Sequence, residues 1–264
     1  MMPAQYSEPA MVAPVSGFAS PLGLWSRLLR GLGSRCRVCA RWQAEVLCAD
    51  CRDRFARWRP RCRLCARGLD EASAPLQIER LCRACRHEPP GFDAALAAVD
   101  YAEPWDRLIP MFKYAEGCEL ASPLAELLAG ALQQAADEDR VDWPDWVVPV
   151  PLSAARLRER GYNQAWELAR RVAPALGLRA RADLVERLID TPHQVGLAWP
   201  ARQRNLAGAF EPTPAGRTEL AGTSVALVDD VLTTGATAAE LARTLRRAGA
   251  RSVQVWVVAR TDRR

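Results

Sequence analysis

Val225-Ala226-Leu227-Val228-Asp229-Asp230-Val231-Leu232-Thr233-Thr234-Gly235-Ala236-Thr237 decides the fold. The segment begins as an apolar run of the kind found in strands buried on both faces. It then passes two adjacent carboxylates and a turn of small residues before a helical pattern over 238–248. A threonine and glycine turn feeding a helix N-terminus offers backbone N–H groups, hydroxyls and a positive dipole end to a phosphate monoester. Gly235 permits the close approach and the unusual dihedral that such a nest requires. Asp229 and Asp230 would repel a phosphate, so they suit the hydroxyls of a sugar carrying it, or metal-bound water. A plain strand-turn-helix, with Asp229 capping the turn and the threonines capping the helix, is the alternative the residues leave open. No Gly-Lys-Ser or Gly-Lys-Thr triplet occurs, which disfavours a Walker-type nucleotide site.

Outward from this segment, apolar runs alternate with amphipathic ones. Strands are predicted over 93–101, 146–150, 224–228 and 252–259, and helices over 120–136, 163–176 and 238–248. That alternation implies an α/β architecture, a mostly parallel sheet flanked by helices, with ligands bound at the carboxyl ends of its strands. Pro89-Pro90-Gly91-Phe92 reads as a hinge between this domain, over 89–264, and what precedes it. Residues 1–34 form a leader, expected to be disordered at first and then a short amphipathic helix over 22–32.

Eight of the nine cysteines form CxxC pairs: Cys36 with Cys39, Cys48 with Cys51, Cys62 with Cys65, and Cys82 with Cys85. Two thiolates so spaced can face one tetrahedral ion, and two pairs close a structural zinc shell, so residues 35–88 are predicted to be a double zinc ribbon holding two ions. Spacing leaves sequential and crossed pairing equally open. Cys118 stands apart and is expected to be a buried small hydrophobe.

The net charge of +5 is thinly spread, and Lys113 is the only lysine among 36 basic residues. A lysine in so arginine-rich a chain suggests a site wanting a compact point charge. Arginines crowd the ribbon region, from Arg52 to Arg63, and allow contact with single-stranded DNA, yet each zinc with four thiolates carries about −2 and offsets them. There is no long apolar run and no secretory signal pattern, so no membrane span is expected and the protein is placed in the cytoplasm. His87 and His193, the two histidines, are expected to be surface or structural residues rather than bases.

The Val225–Thr237 segment resembles the PRPP-binding motif of type I phosphoribosyltransferases. More broadly, residues 36–260 are similar to the ComF family of bacterial competence and DNA-utilisation proteins. The likeness rests on the cysteine knuckles, Phe112-Lys113-Tyr114, Pro149-Val150-Pro151-Leu152, Arg160-Gly161-Tyr162-Asn163-Gln164, residues 194–197, and Arg202 with Asn205 ahead of Gly208-Ala209-Phe210. It implies a type I phosphoribosyltransferase fold behind zinc ribbons, binding PRPP with Mg2+ and acting as a phosphoribosyltransferase on an acceptor that no residue specifies. Asp229 and Asp230 would then hold the ribose hydroxyls, with Lys113 as a third catalytic residue. Thr233, Thr234, Gly235, Ala236 and Thr237 would cradle the 5-phosphate. Arg158 and Arg160 would take charge near the pyrophosphate loop, and Arg202 and Asn205 would belong to a closing lid. Trp199-Pro200-Ala201 departs from the more polar stretch usual there, and Tyr162, Trp166 and Trp199 are candidates for an acceptor hood. The resemblance also implies a role in DNA uptake or DNA utilisation, with DNA-uptake proteins as partners. A non-catalytic PRPP sensor or a single-stranded-DNA-binding scaffold is the alternative.

Overall fold

A computed structural model describes residues 33–69, 80–138, 140–189 and 208–262. Its centre is a sheet of four parallel strands in the order β3 (Ala94–Asp100), β8 (Ser252–Arg260), β7 (Ser224–Leu232), β4 (Trp146–Pro149). The pleat sorts the strands into two cores. Val147, Ala226, Val228, Trp256 and Val258 pack with Leu124, Leu128 and Leu132 of one helix (Ala121–Asp137) and Leu168 and Val172 of another (Gln164–Ala175). Their neighbours Val148, Val225, Leu227, Val253, Val255 and Val257 pack on the opposite face against Leu241, Ala242 and Leu245 of the helix Ala236–Arg247. Each fully buried leucine or valine contributes about 1.5–3 kcal/mol, so burial on both sides fixes the register of this sheet.

In chain order the helices are α1 (Ala49–Phe55), α2 (Arg83–His87), α3 (Trp105–Phe112), α4 (Ala121–Asp137), α5 (Ala154–Arg160), α6 (Gln164–Ala175), α7 (Pro214–Glu219) and α8 (Ala236–Arg247). Two short antiparallel pairs complete the described elements: β1 (Ser34–Arg35) with β2 (Trp42–Gln43), and β5 (Val185–Arg187) with β6 (Phe210–Pro212). After β4 the chain runs through α5 and α6 and returns outside β4, where Ala180 bridges Val147 in parallel. After β7 it runs through α8 to β8, on the other side. The connections therefore diverge between β4 and β7, and the crevice outside their carboxyl ends is where such sheets bind ligands.

The α/β layering matches the fold class read from the sequence, as do the main elements to within two residues, with one exception. β7 continues four residues beyond its expected end at Val228, because Asp229, Val231 and Leu232 pair with Val257, Ala259 and Arg260 of β8. The cysteine ribbons lie against this domain. Cys36, Leu47, Cys48 and Cys51 share a core with Trp105 and Leu108 of α3, and Trp105 Nε1 donates to the Phe55 carbonyl at 3.0 Å. Among the described residues no helix is long and apolar enough to cross a membrane.

Cys118 corrects an expectation: it is exposed, on a 3-10 helix (Ala115–Leu120). The leader before Gly33 lies outside the described residues, together with His193, residues 194–197, Trp199, Arg202 and Asn205.

Candidate phosphosugar site and cysteine centres

Asp229 and Asp230 stand at the carboxyl end of β7, past the last β4 pairing at Pro149 with Val228. Alternation along the strand puts Asp230 on the side of α4 and α6. There its carboxylate, 7% exposed, lies 3.3 Å from Lys113 Nζ. The Asp230 N–H donates to Asp229 Oδ1 at 2.9 Å. Burial, and then the neighbouring Asp230 carboxylate, push the Asp229 carboxyl up to about 7 from 3.8. Two adjacent carboxylates with one lysine, paired with Asp230, are short of positive charge, and their all-oxygen donor set suits a hard divalent cation or sugar hydroxyls.

Lys113 is held in place by backbone bracing. Gln164 Nε2 donates to the Lys113 carbonyl at 2.9 Å, and the Tyr162 hydroxyl donates to the carbonyls of Phe112 and, at 3.1 Å, Tyr114. Burial pushes the Tyr162 phenol up to about 12, so it remains a donor across the working pH range. Asn163 Nδ2 donates to the Val150 carbonyl at 3.1 Å, while its Oδ1 caps α6 by accepting from Ala165 N–H at 2.9 Å. Phe112-Lys113-Tyr114, the Val150 loop and Tyr162-Asn163-Gln164, distant in sequence, thus form one unit presenting a lysine to an aspartate. That role for Tyr162, Asn163 and Gln164 carries no local sequence signal.

Beyond β7, Gly235 takes the left-handed conformation at φ 82° and precedes α8. An added Cβ would meet nothing closer than 3.5 Å, so the dihedral rather than space calls for glycine here. Among the described residues the N–H groups of Thr233, Thr234 and Gly235 donate no hydrogen bond. Thr234 Oγ1 accepts weakly from Ala236 N–H at 3.4 Å. Thr233 is exposed, Ala236 is buried, and Thr234, Gly235 and Thr237 are half-buried.

Of the other expected cations, Arg160 donates to Gln164 Oε1 at 3.0 Å, which links it to the Lys113 brace, while Arg158 is exposed on α5. Tyr162 and Trp166 pack partly buried against the α4 and α6 core. His87 ends α2, exposed and far in the chain from the acids.

The cysteines gather sequentially. The Sγ atoms of Cys36, Cys39, Cys48 and Cys51 form one group and those of Cys62, Cys65, Cys82 and Cys85 the other, each within 4.8 Å of one another. The first knuckles of the two groups repeat one geometry. Ala40 and Ala66, next after the second cysteine, have φ of 59° and 58°, and Ala40 and Ala66 N–H return to the Cys36 and Cys62 carbonyls at 2.9 and 2.8 Å. Hydrogen bonds from Cys65 and Cys85 hold the Cys62 thiol well below its ordinary range, whereas bonding with Cys62 and Cys65 pushes Cys85 up. Four thiolates so close repel one another unless a cation sits among them, and the two four-cysteine clusters fit two structural zinc sites.

Asp229 also sets a pH dependence. Between 3.8 and about 7 the folded chain keeps a proton on Asp229 that the unfolded chain has lost, so raising pH through this window costs stability. Asp229→Asn escapes that cost. Without ligand, its unfolding free energy should match wild type near pH 4 and exceed it above pH 7, by on the order of 1 kcal/mol given partial access to water. Parallel melting curves across the range would refute the assignment.

No protein-family model matches the chain. It is 34% identical over 230 residues to the DNA utilization protein YhgH of Salmonella typhimurium, covering 86% of this chain and 90% of that protein. With Competence protein F of Haemophilus influenzae it shares 33% identity over 214 residues, 81% of this chain and 90% of the relative. With the Escherichia coli K12 YhgH the identity is 37% over 182 residues, 68% and 78% of the two chains. The chain belongs to the ComF family of competence and DNA-utilization proteins. Solved structures resemble it more loosely. An allosteric regulatory enzyme of purine biosynthesis superposes with a TM-score of 0.36 and 20% identity over 57% of this chain and 30% of that one. A hypoxanthine-guanine phosphoribosyl transferase of L. donovani gives 0.32 and 13% over 53% and 71%.

Proposed function

We propose that the chain is a phosphoribosyltransferase that binds PRPP at the carboxyl ends of β4 and β7 and serves DNA uptake or utilisation in the cytoplasm. The observation that supports this is the meeting of two carboxylates, a lysine and a loop of unengaged N–H groups at the switch point of a parallel sheet. Thr233 to Thr237 would hold the 5-phosphate through backbone N–H groups and the α8 dipole, and Asp229 and Asp230 the ribose hydroxyls. Lys113, with Arg158 and Arg160, would supply positive charge beside the pyrophosphate. Arg202 and Asn205 complete the set as a lid, and residues 35–88 and 89–264 are read as its two domains. Mg2+, bound with PRPP near the two carboxylates, would supply countercharge for the leaving pyrophosphate. The protein's own part is to position PRPP and its acceptor and to stabilise the charge that develops as C1′ gains oxocarbenium character. No side chain need act as nucleophile. The acceptor, a nucleobase or an amine, supplies the electron pair that forms the new bond to C1′ as the bond to pyrophosphate breaks. Titration calorimetry with PRPP and Mg2+ tests the reading: wild type binds one equivalent, and the double variant Asp229→Asn, Asp230→Asn does not. Equal binding by both would overturn it.

One surface favours a second, compatible reading. Trp58, Arg59, Arg61, Arg63, Arg80 and Arg140 line a groove between the ribbons and β3. Trp58 is 49% exposed, with the Arg140 guanidinium 6.0 Å from its ring. Asp100 pairs with Arg59 and Arg61, Asp262 with Arg59, and Glu138 with Arg80 and Arg140, so five guanidinium groups meet three carboxylates beside an exposed indole. These are the elements of single-strand binding. Binding of an oligodeoxythymidine that weakens steeply with salt and falls about tenfold in Trp58→Ala would support it. Binding insensitive to both would exclude it.

A further inference from the structure

Arg260, at the end of β8, is 4% exposed, and every acceptor of its guanidinium is an oxygen of the protein backbone save the hydroxyl of Thr261. Nε donates to the Cys65 carbonyl at 2.7 Å, in the second cysteine cluster. Nη1 donates to the carbonyl of Leu232, the last residue of β7, at 2.9 Å, beside a bond of 3.2 Å from the Thr261 N–H, and to that of Thr233, in the loop that follows, at 2.6 Å. One buried side chain thus joins a cysteine knuckle to the candidate phosphate loop.

The geometry has a directional consequence. Peptide units 232–233 and 233–234 are trans, and in a trans unit the N–H points opposite to the C=O. Drawing the Leu232 and Thr233 carbonyls toward Arg260 therefore turns the N–H groups of Thr233 and Thr234 outward, away from the protein interior. Those are the N–H groups without an acceptor among the described residues. Cys65 in turn is fixed by its knuckle, because the next residue, Ala66, is left-handed, fully buried and packed in the same core as Phe92 and Ala236. The first cysteine cluster has no such link among the described residues. It packs against α3 and α4, on the other core.

We propose that Arg260 is a positioning residue that aims the N–H groups of Thr233 and Thr234 at the phosphate, and that metal in the second cysteine cluster sets its position. The phosphate-binding part of this proposal rests on the reading of the loop as a PRPP site; the mechanical link does not. Lysine cannot replace Arg260, since a single ammonium cannot serve carbonyls on two sides as the planar fork does.

Arg260→Lys should keep both zinc equivalents, lose at least about tenfold in PRPP affinity measured with Mg2+, and lower the backbone 15N order parameters over 233–237 more than in the middle of β7 and β8. Cys85→Ser should loosen the same loop, whereas Cys51→Ser, which also removes one zinc, should leave its order parameters near the wild-type values. Wild-type order parameters and affinity in Arg260→Lys would overturn the proposal. If Arg260→Lys does not fold, the two cysteine variants decide, and equal loop order parameters in both overturn it. Should wild type fail to bind PRPP while the loop still loosens in Arg260→Lys, the phosphosugar reading falls and the coupling stands. The reverse holds if wild type binds PRPP and the variant matches it.

Discussion

Removal of zinc with a strong chelator should release two metal equivalents per chain, unfold both ribbons, and lower the melting temperature of the α/β domain by at least about 5 °C. The ribbons have almost no apolar interior of their own. Among the described residues the buried set around the second cluster is its four cysteines with Leu69 and Leu81. Metal therefore supplies most of the folding free energy there, and structural zinc contributes roughly 10–16 kcal/mol at neutral pH, as much as a whole domain's stability. The effect must spread because the first cluster is not a separate body. Leu47, Cys48 and Cys51 cover Trp105 and Leu108, and loss of that cover exposes α3, whose end carries Lys113. Tryptophan fluorescence should report the change, since Trp105, one of nine tryptophans, binds the Phe55 carbonyl in α1 through its indole N–H. Zinc content below one equivalent in the untreated protein, or an unchanged tryptophan signal after chelation, would defeat this account.

The sequence exposed these centres unevenly, for physical reasons. Cysteine pairs are legible because metal geometry demands a local spacing, and the strand with its acids and turn is legible because a phosphate nest is built from consecutive residues. Pairing between knuckles is a tertiary matter and needed coordinates. β7 overran its expected end because Asp229 and Asp230 read as strand breakers, whereas pairing with Val257 to Arg260 carries the strand through them. Arg260 gave no signal at all: its partners lie 195 and 28 residues away, and one arginine among many has no pattern. Lys113 was visible as a lone lysine against its background and, through the family resemblance, within Phe112-Lys113-Tyr114. What fixes it, the carbonyl bonds from Tyr162 and Gln164, became readable once α3 and the start of α6 were seen side by side. Cys118 failed as a core residue because its short 3-10 helix turns Gly117 and Leu120 inward and leaves Cys118 and Glu119 on the outer side.

The double variant Asp229→Asn, Asp230→Asn should lose more than about a hundredfold in PRPP affinity while gaining stability above pH 7, and the two signs together carry the test. Two charge-assisted hydrogen bonds of about 1.5–3 kcal/mol each are at stake if the acids hold hydroxyls or metal-bound water, which sums to the expected loss. Stability should rise because Asp229 no longer ionises at a cost next to Asp230. Lys113, 32% exposed, can turn its ammonium to water once its partner is neutral, so no charge is stranded. Weak binding in a stabilised protein cannot be put down to unfolding. If the acids were only structural, the opposite sign would appear: PRPP is a polyanion, and removing two negative charges beside it would strengthen binding by relieving repulsion. Affinity that rises, or stays within about threefold of wild type, would therefore show that the carboxylates do not touch the ligand, and a transferase working at the end of β7 would have to be abandoned.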